Sequence, residues 1–199
     1  MTLLYRIGRS IAYLVRLYYP LKIMNRECIP KQGPVVLIIN HRIWYDVVPV
    51  VHSLRRQVFF ISKAENFKNK LFAWFLTSCG CFPIHRGTAD LPAMRYGISL
   101  LKEGKVLGIF PEGTRNRTDQ TLQTFHEGAS LFALNGKATA VPIFLGDFRA
   151  FHRTPVLIGQ PLDLSQWRDR PVNRVILNEV TGLIVHEMQN LVEIYEKMA

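Results

Sequence analysis

Apolar residues recur along this chain in short continuous runs that are separated by longer, mixed segments. The runs are VVLII at 35–39, QVFFIS at 57–62, CFPIH at 81–85, VLGIF at 106–110, AVPIFL at 140–145 and TPVLIG at 154–159. Continuous rather than alternating hydrophobicity is typical of strands that are buried on both faces of a sheet. We therefore predict a strand at each of these six places.

Helical patterns lie between the predicted strands. The segments concerned are 46–54, 67–77, 91–103, 128–134 and 172–197. Strands that alternate with helices predict an α/β fold, in which a mostly parallel central sheet is flanked by helices. In such folds, functional groups usually collect where strands end and helices begin.

The first 20 residues have a helical pattern of their own. At 100° per residue, one side of this helix is apolar, with Leu3, Ile7, Ile11, Leu14, Leu17 and Tyr18, and the other is cationic, with Arg6, Arg9 and Arg16. The helix either docks on its own domain or lies in a membrane interface, and its arginines and tyrosines favour the membrane. No run of about 18 uncharged apolar residues exists to span a bilayer, and no signal peptide is recognisable.

Composition supports one folded domain behind this helix. Of the 199 residues, 48% are hydrophobic and 20% charged, which allows a sizeable core. We expect a membrane-associating helix and linker at 1–30 and one folded domain at 31–199. The net charge is +10, and residues 1–63 contribute +8 of it, so an anionic partner is indicated, either nucleic acid or a membrane surface.

Three cysteines without C-x-x-C spacing suit a reducing cytosolic compartment.

The motif NHRIWYD at 40–46 follows the first strand directly. Five helical residues would hold His41 and Asp46 about 140° apart, but a loop that closes into a helix near Asp46 can bring them together. Asp46 would then accept the Nδ1–H of His41 and leave Nε2 free to take a proton from a hydroxyl. The alternative is that Asp46 only caps the helix and His41 is structural.

A second motif, FPEGTRNR at 110–117, has the residue types of a phosphate-binding loop. Gly113 permits a positive φ or close backbone approach, Thr114 offers a hydroxyl, and Arg115 presents a planar fork. Glu112 could hold the arginine or accept a substrate hydroxyl. An exposed turn with solvated charges is an equally acceptable interpretation.

Two more cations follow predicted strands. Lys63 comes after QVFFIS and Arg86 after CFPIH. Each alone is typical of a surface charge. If their strands are neighbours, both could converge with Arg115 on one anion beside His41.

The combination of blocks resembles the glycerolipid acyltransferase family. NHRIWYD, CFPIHRG, FPEGTR and AVPIFL match four of its blocks in the family's order, and ISKAENF is similar to its lysine-containing segment. Two departures are visible: Arg42 replaces a small residue, often serine, and FHEGA at 125–129 replaces a lysine-containing F-K-x-G-A.

The resemblance implies an O-acyltransferase that forms phosphatidic acid from 1-acyl-sn-glycerol 3-phosphate. His41 would be the general base and Asp46 its orienting partner. The acceptor phosphate would contact Lys63, Arg86 and Arg115, and its site would be shaped by Glu112, Gly113 and Thr114. No metal or cofactor is expected, since an acyl thioester of coenzyme A or acyl carrier protein supplies the acyl group.

These implications extend to partners and location. We expect a lysophospholipid acceptor, an anionic membrane surface and no nucleic acid, with the protein peripheral or monotopic at a cytosolic membrane face. The alternatives are another acceptor, such as glycerol 3-phosphate, another lysophospholipid or a lyso-aminolipid, or a non-catalytic protein that binds membrane surfaces.

Overall fold

The computed structural model describes residues 3–85, 90–118, 121–168 and 170–198. In these ranges the strands are β1 Leu21–Met24, β2 Val35–Ile39, β3 Val58–Lys63, β4 Cys81–Ile84, β5 Val106–Ile109, β6 Thr139–Leu145 and β7 Thr154–Ile158. The α-helices are α1 Leu3–Tyr18, α2 Val47–Ser53, α3 Lys70–Ser78, α4 Leu91–Lys102, α5 Gly128–Asn135 and α6 Arg174–Glu196.

All of these strands join one sheet in the order β1-β7-β6-β2-β5-β3-β4. The five strands from β6 to β4 run parallel, β7 is antiparallel to β6, and β1 is parallel to β7. Each residue of β2 is buried, and alternate residues enter different apolar clusters: Val36 and Ile38 one, Leu37 and Ile39 the other. The expected α/β fold with a mostly parallel sheet is confirmed.

All six strands expected from the sequence are present, but the edge strand β1 was not expected. It lies within residues 1–30, where a helix and linker were expected, and Leu21 is aligned with Thr154 of β7. Its four residues are only partly buried or exposed, and Lys22 interrupts them, so the apolar pattern is too short to stand out. The end of that segment therefore belongs to the sheet.

Helix α3 begins later than the expected residue 67. Residues Ala64–Phe67 form a short 3₁₀ helix instead. The side chain of Asn69 then caps α3, because its Oδ1 accepts from the backbone N–H groups of Leu71 and Phe72 at 3.0 and 3.1 Å.

The amphipathic helix α1 docks on the domain through residues outside its apolar side. The Tyr5 hydroxyl accepts the Val58 N–H at 3.0 Å, and the Tyr13 ring packs edge-on against His52 at 4.4 Å between centroids. Leu3 and Leu17 of the apolar side stay 71% and 74% exposed. The side chains of Ile11 and Leu14 lie outside the described part of the structure. Within that part, no helix is both long and apolar enough to cross a bilayer.

Candidate active site

The sheet order brings the sequence motifs to one end of the sheet, at the carboxyl ends of its parallel strands. Strands β2, β5, β3 and β4 are neighbours in that order and all point the same way, so their carboxyl ends lie side by side. His41 follows β2, the 110–117 loop follows β5, and Lys63 ends β3. The condition for convergence, neighbouring strands, is therefore met. Arg86, expected after β4, lies outside the described residues.

His41 and Asp46 form a direct pair. Nδ1 of His41 lies 2.8 Å from Oδ2 of Asp46, which is fully buried. The same oxygen accepts the backbone N–H groups of Arg42 and Ile43 at 2.6 and 2.9 Å. Oδ2 of the Asp46 carboxylate can only accept hydrogen bonds, so Nδ1 of neutral His41 carries the ring proton. Nε2 is then the nitrogen left for a substrate.

Asp46 does not act as a helix cap, although it stands directly before α2. Its own backbone is already helical, at φ −55° and ψ −21°, and its carboxylate makes no capping hydrogen bond to α2. The carboxylate instead turns back to the loop that carries His41. The interpretation of Asp46 as a mere cap is therefore wrong.

Phe110 supports the His41 ring from the side. The two rings stack with centroids 4.2 Å apart and an angle of 28° between their planes. The His41 side chain is 20% exposed, so it is held on one face and open to solvent in part.

Glu112 holds the backbone of the loop that carries His41 rather than a neighbouring arginine. Its Oε1 accepts the His41 N–H at 2.9 Å, and the His41 carbonyl accepts the Asn116 N–H at 2.6 Å. Burial raises the pKa of Glu112, and the backbone N–H groups of His41 and Gln123 oppose that rise. The loop after β5 thus hydrogen-bonds to both the backbone N–H and the backbone carbonyl of His41.

Gly113 has a positive φ of +66°, one of the two features that the sequence left open for it. Its N–H donates to the Phe110 carbonyl at 3.0 Å, and a Cβ at this position would lie 3.1 Å from Cδ2 of His126. His126 belongs to the FHEGA segment, and its N–H donates to the Pro111 carbonyl at 2.9 Å. The departure from a lysine therefore places an imidazole directly over the glycine of the phosphate-type loop.

Lys63, Thr114 and Arg115 are all exposed at this edge of the sheet. Thr114 Oγ1 lies 3.4 Å from Oε1 of Gln123, which leaves the hydroxyl at the surface of the loop. Two exposed cations beside a histidine–aspartate pair are suited to an anionic substrate. In the described part of the chain, no group of three or more His, Cys, Asp or Glu side chains has the arrangement of a metal site.

Two supporting residues of the loop were not foreseen. Asn40 is fully buried, and its amide both donates to the Leu145 carbonyl at 3.0 Å and accepts the Leu145 N–H at 2.7 Å. It continues the pairing of β2 with β6 and so fixes where His41 leaves the sheet. The only signal was its position directly before His41.

Arg42 pairs with Asp147 at 3.1 Å, which accommodates its large side chain outside the His41–Asp46 pair.

Comparisons with known proteins agree with one another. The family model described as "Acyltransferase" matches residues 20–146. A 1-acyl-sn-glycerol-3-phosphate acyltransferase of Bacillus subtilis is 30% identical, over 92% of this chain and 95% of its own. One from Streptococcus pneumoniae is 30% identical over 85% of this chain and 65% of its own.

A solved structure supports the fold. The 1-acyl-sn-glycerophosphate acyltransferase PlsC of Thermotoga maritima superposes with a TM-score of 0.73, at 18% identity, over 96% of this chain and 79% of its own.

Proposed function

Because the chain belongs to the acyltransferase family, whose model matches residues 20–146, we propose that it acylates the sn-2 hydroxyl of 1-acyl-sn-glycerol 3-phosphate. The product is phosphatidic acid, an intermediate of phospholipid biosynthesis. The observation that carries this proposal is the pair of His41 with the buried Asp46 at 2.8 Å. Among the described residues, no serine, threonine or cysteine side chain hydrogen-bonds to the His41 ring, so the pair suits general-base help to a substrate hydroxyl that is acylated directly.

The transfer proceeds in two steps at His41. Nε2 takes the proton of the acceptor hydroxyl while the oxygen attacks the thioester carbonyl carbon, and a tetrahedral oxyanion forms. The C–S bond then breaks, the ester forms, and the leaving thiolate receives the proton from Nε2. Asp46 keeps the ring oriented and stabilises the imidazolium between the two steps. General-base help of this kind is worth roughly 10² to 10⁴ in rate.

The acceptor is held by its phosphate in this proposal. Lys63 and Arg115 are exposed at neighbouring strand ends beside His41, and Arg86 is assigned the same role from the sequence motif. Binding the phosphate places the hydroxyl relative to Nε2, which lowers the entropic part of the barrier. Gly113 and Thr114 shape the loop, while Glu112 holds it against His41.

The acyl donor is a thioester of coenzyme A or acyl carrier protein, and no metal or other cofactor takes part. Both carriers are anionic, so the basic surface of the chain suits either. The acceptor is a lipid, so we place the enzyme peripherally at a cytosolic membrane face. Helix α1 supports this location, because it presents exposed Leu3 and Leu17 and a stacked pair of Tyr19 and Tyr45 joins its end to the catalytic loop.

The test is acyl transfer to 1-acyl-sn-glycerol 3-phosphate by the wild type and by His41→Ala. We expect loss of activity in His41→Ala, and full activity in His186→Ala, an exposed histidine within α6, as the matched control. Equal rates for His41→Ala and the wild type would refute the assigned base. Activity only with a phosphate-free acceptor would refute the acceptor, and no transfer to any acceptor by a folded wild type would favour a non-catalytic membrane binder.

A further inference from the structure

Helix α3 exposes an unusual amount of apolar surface. None of its nine residues, all of them described, is buried. Leu71, Phe72, Trp74 and Phe75 are 76%, 49%, 56% and 44% exposed. Wound at 100° per residue, these four side chains occupy one half of the helix, so they form a single apolar face. We call this set of four residues the α3 face.

The α3 face is bordered by further apolar surface. A shallow cavity of about 320 Å³ at the β4 edge of the sheet adjoins the end of the helix and is lined by Phe59, Thr77, Phe82, Pro83, Ala93 and Tyr96. On another side lies α1, since a Cβ at Gly8 would come within 3.2 Å of Sγ of Cys79, the residue directly after α3. Large continuous apolar surfaces of this kind mark interaction sites.

The start of α3 lies close to the carboxyl ends of the strands that carry His41 and Lys63, which we call the catalytic edge. Lys63 ends β3 at that edge, and the chain reaches Lys70 only seven residues later. Lys68 and Lys70, both exposed, stand between Lys63 and the aromatic residues. The α3 face is therefore apolar with a basic rim on the side of the active site.

We propose that the α3 face inserts into the interface of an anionic lipid bilayer, as a second membrane-contacting element beside α1. Tryptophan, phenylalanine and leucine above a lysine rim are the composition of elements that lie at the headgroup level. The lysines of the basic rim are attracted to anionic headgroups. The inference rests on the proposed function in one respect, that the acceptor is a membrane lipid.

A second copy of this chain is a poorer occupant of the same surface. Two copies that met through their α3 faces would each bring Lys63, Lys68 and Lys70 to the contact or its border, without an opposite charge on the α3 face to pair with them. Each chain carries a net charge of +10, so the contact would be repulsive. An anionic bilayer supplies both the apolar layer and the opposite charge.

The consequence of insertion is a fixed orientation of the enzyme. With α1 and α3 both in the interface, the catalytic edge near Lys63 faces the headgroups. A lysophospholipid then needs to rise only part of the way out of the bilayer for its phosphate to reach Lys63 and Arg115.

Trp74 reports directly on this arrangement. The chain has three tryptophans, and Trp167 is buried in the core while Trp44 is 76% exposed beside the catalytic loop. In Trp44→Phe, the only exposed tryptophan is Trp74. The double variant Trp44→Phe, Trp74→Phe gives the Trp167 background, which is subtracted.

The full chain is mixed with vesicles of equimolar phosphatidylcholine and phosphatidylglycerol, with and without brominated acyl chains. We expect the Trp74 emission to shift to shorter wavelength and to be quenched by the brominated lipid. We also expect Phe72→Ser, Phe75→Ser to lower vesicle affinity by at least about tenfold. Unquenched Trp74 emission, whether or not the protein sediments with vesicles, would overturn the proposal.

The matched control makes the same kind of change elsewhere. Val175 and Ile194 of α6 are 65% and 46% exposed, and Val175→Ser, Ile194→Ser should bind vesicles as the wild type does. A Phe72→Ser, Phe75→Ser variant that binds like this control would also overturn the proposal. So would self-association of the wild type without lipid that this variant abolishes.

Failure of the α3 face is distinguishable from failure of the proposed function. A short-chain 1-acyl-glycerol 3-phosphate below its micellar concentration measures acyl transfer without any vesicle. The wild type and Phe72→Ser, Phe75→Ser should be equally active on it. If the wild type is inactive there, the proposed function fails, whereas the quenching experiment still decides whether α3 enters the bilayer.

Discussion

The Glu112 carboxylate accepts the backbone N–H of His41 at 2.9 Å, and both residues leave neighbouring strands at the same edge of the sheet. Glu112 is 3% exposed, and its Oε2 has no hydrogen-bond partner among the described residues. A buried carboxylate oxygen without a partner costs stability, so Glu112 combines a stability cost with a contact that positions His41.

Glu112→Gln should separate positioning from charge. The glutamine keeps one oxygen for the His41 N–H and removes the buried negative charge. Below the ordinary pKa of 4.5, Glu112 is protonated in the folded and the unfolded chain alike. Above pH 4.5, the unfolded chain loses the Glu112 proton more readily than the folded chain, because burial raises the folded pKa. The contribution of Glu112 to the free energy of unfolding therefore falls as pH rises toward the folded pKa.

The measurement is the melting temperature of both proteins between about pH 4 and about pH 7. We expect the melting temperature of the wild type to fall relative to that of Glu112→Gln as pH rises. Glu112→Ala cannot accept the His41 N–H, so we expect this variant to lose acyl-transfer activity. A constant difference in melting temperature across this range would contradict the account.

Asp46→Asn should impair catalysis much more than binding. The amide cannot stabilise an imidazolium as a carboxylate does, so we expect kcat to fall roughly 10² to 10⁴-fold while the KM for the acceptor changes little. The matched control is Asp147→Asn, the same change at a residue that pairs with Arg42 and is 40% exposed. A similar loss of kcat in both variants would mean that the effect is general rather than specific to the His41 pair.

Lys63→Ala and Arg115→Ala should weaken acceptor binding. A charge-assisted hydrogen bond to phosphate is worth about 1.5 to 3 kcal/mol, so we expect each change to raise KM for the acceptor roughly tenfold to a hundredfold. Lys102→Ala is the control, since Lys102 ends α4 and so precedes β5 at the opposite edge of the sheet. Unchanged KM values in both site variants would place the phosphate elsewhere.

Gly113→Ala should destabilise the loop for two reasons. The positive φ of +66° costs a residue with a side chain about 1 to 2 kcal/mol, and the added Cβ would press on His126. In a His126→Ala background only the first cost remains. Gly128→Ala is the control, because nothing lies within 4 Å of its added Cβ. Denaturant unfolding should rank Gly113→Ala as the least stable; equal stability of the two glycine variants would contradict this.

The sheet could be predicted from the sequence to a large extent, since strands such as β2 are buried on both faces and are written as unbroken apolar runs. Edge strand β1 could not, because a partly exposed strand of four residues leaves no such run. The late start of α3 follows from the side-chain cap at Asn69. Asparagine favours this position, but Asn66 is an equally good candidate in the same segment, so residue type alone does not select the start.

The active site was foreseen less completely than the fold. His41, Asp46 and the positive φ of Gly113 follow from spacing and residue type. The partner of Glu112 could not be foreseen, because it depends on β5 pairing with β2, two strands that are about 70 residues apart in the chain. Asn40 was missed for a similar reason, since its partner Leu145 lies 105 residues away.

The central position of β2 has a consequence for synthesis of the chain. Its neighbour β6 begins 100 residues after β2 ends, at Thr139 against Ile39. At a translation rate of about 5 to 20 residues per second, an almost wholly aliphatic strand leaves the ribosome roughly 5 to 20 s before that neighbour exists. During this interval VVLII is a site where nascent chains can aggregate or where a chaperone can bind.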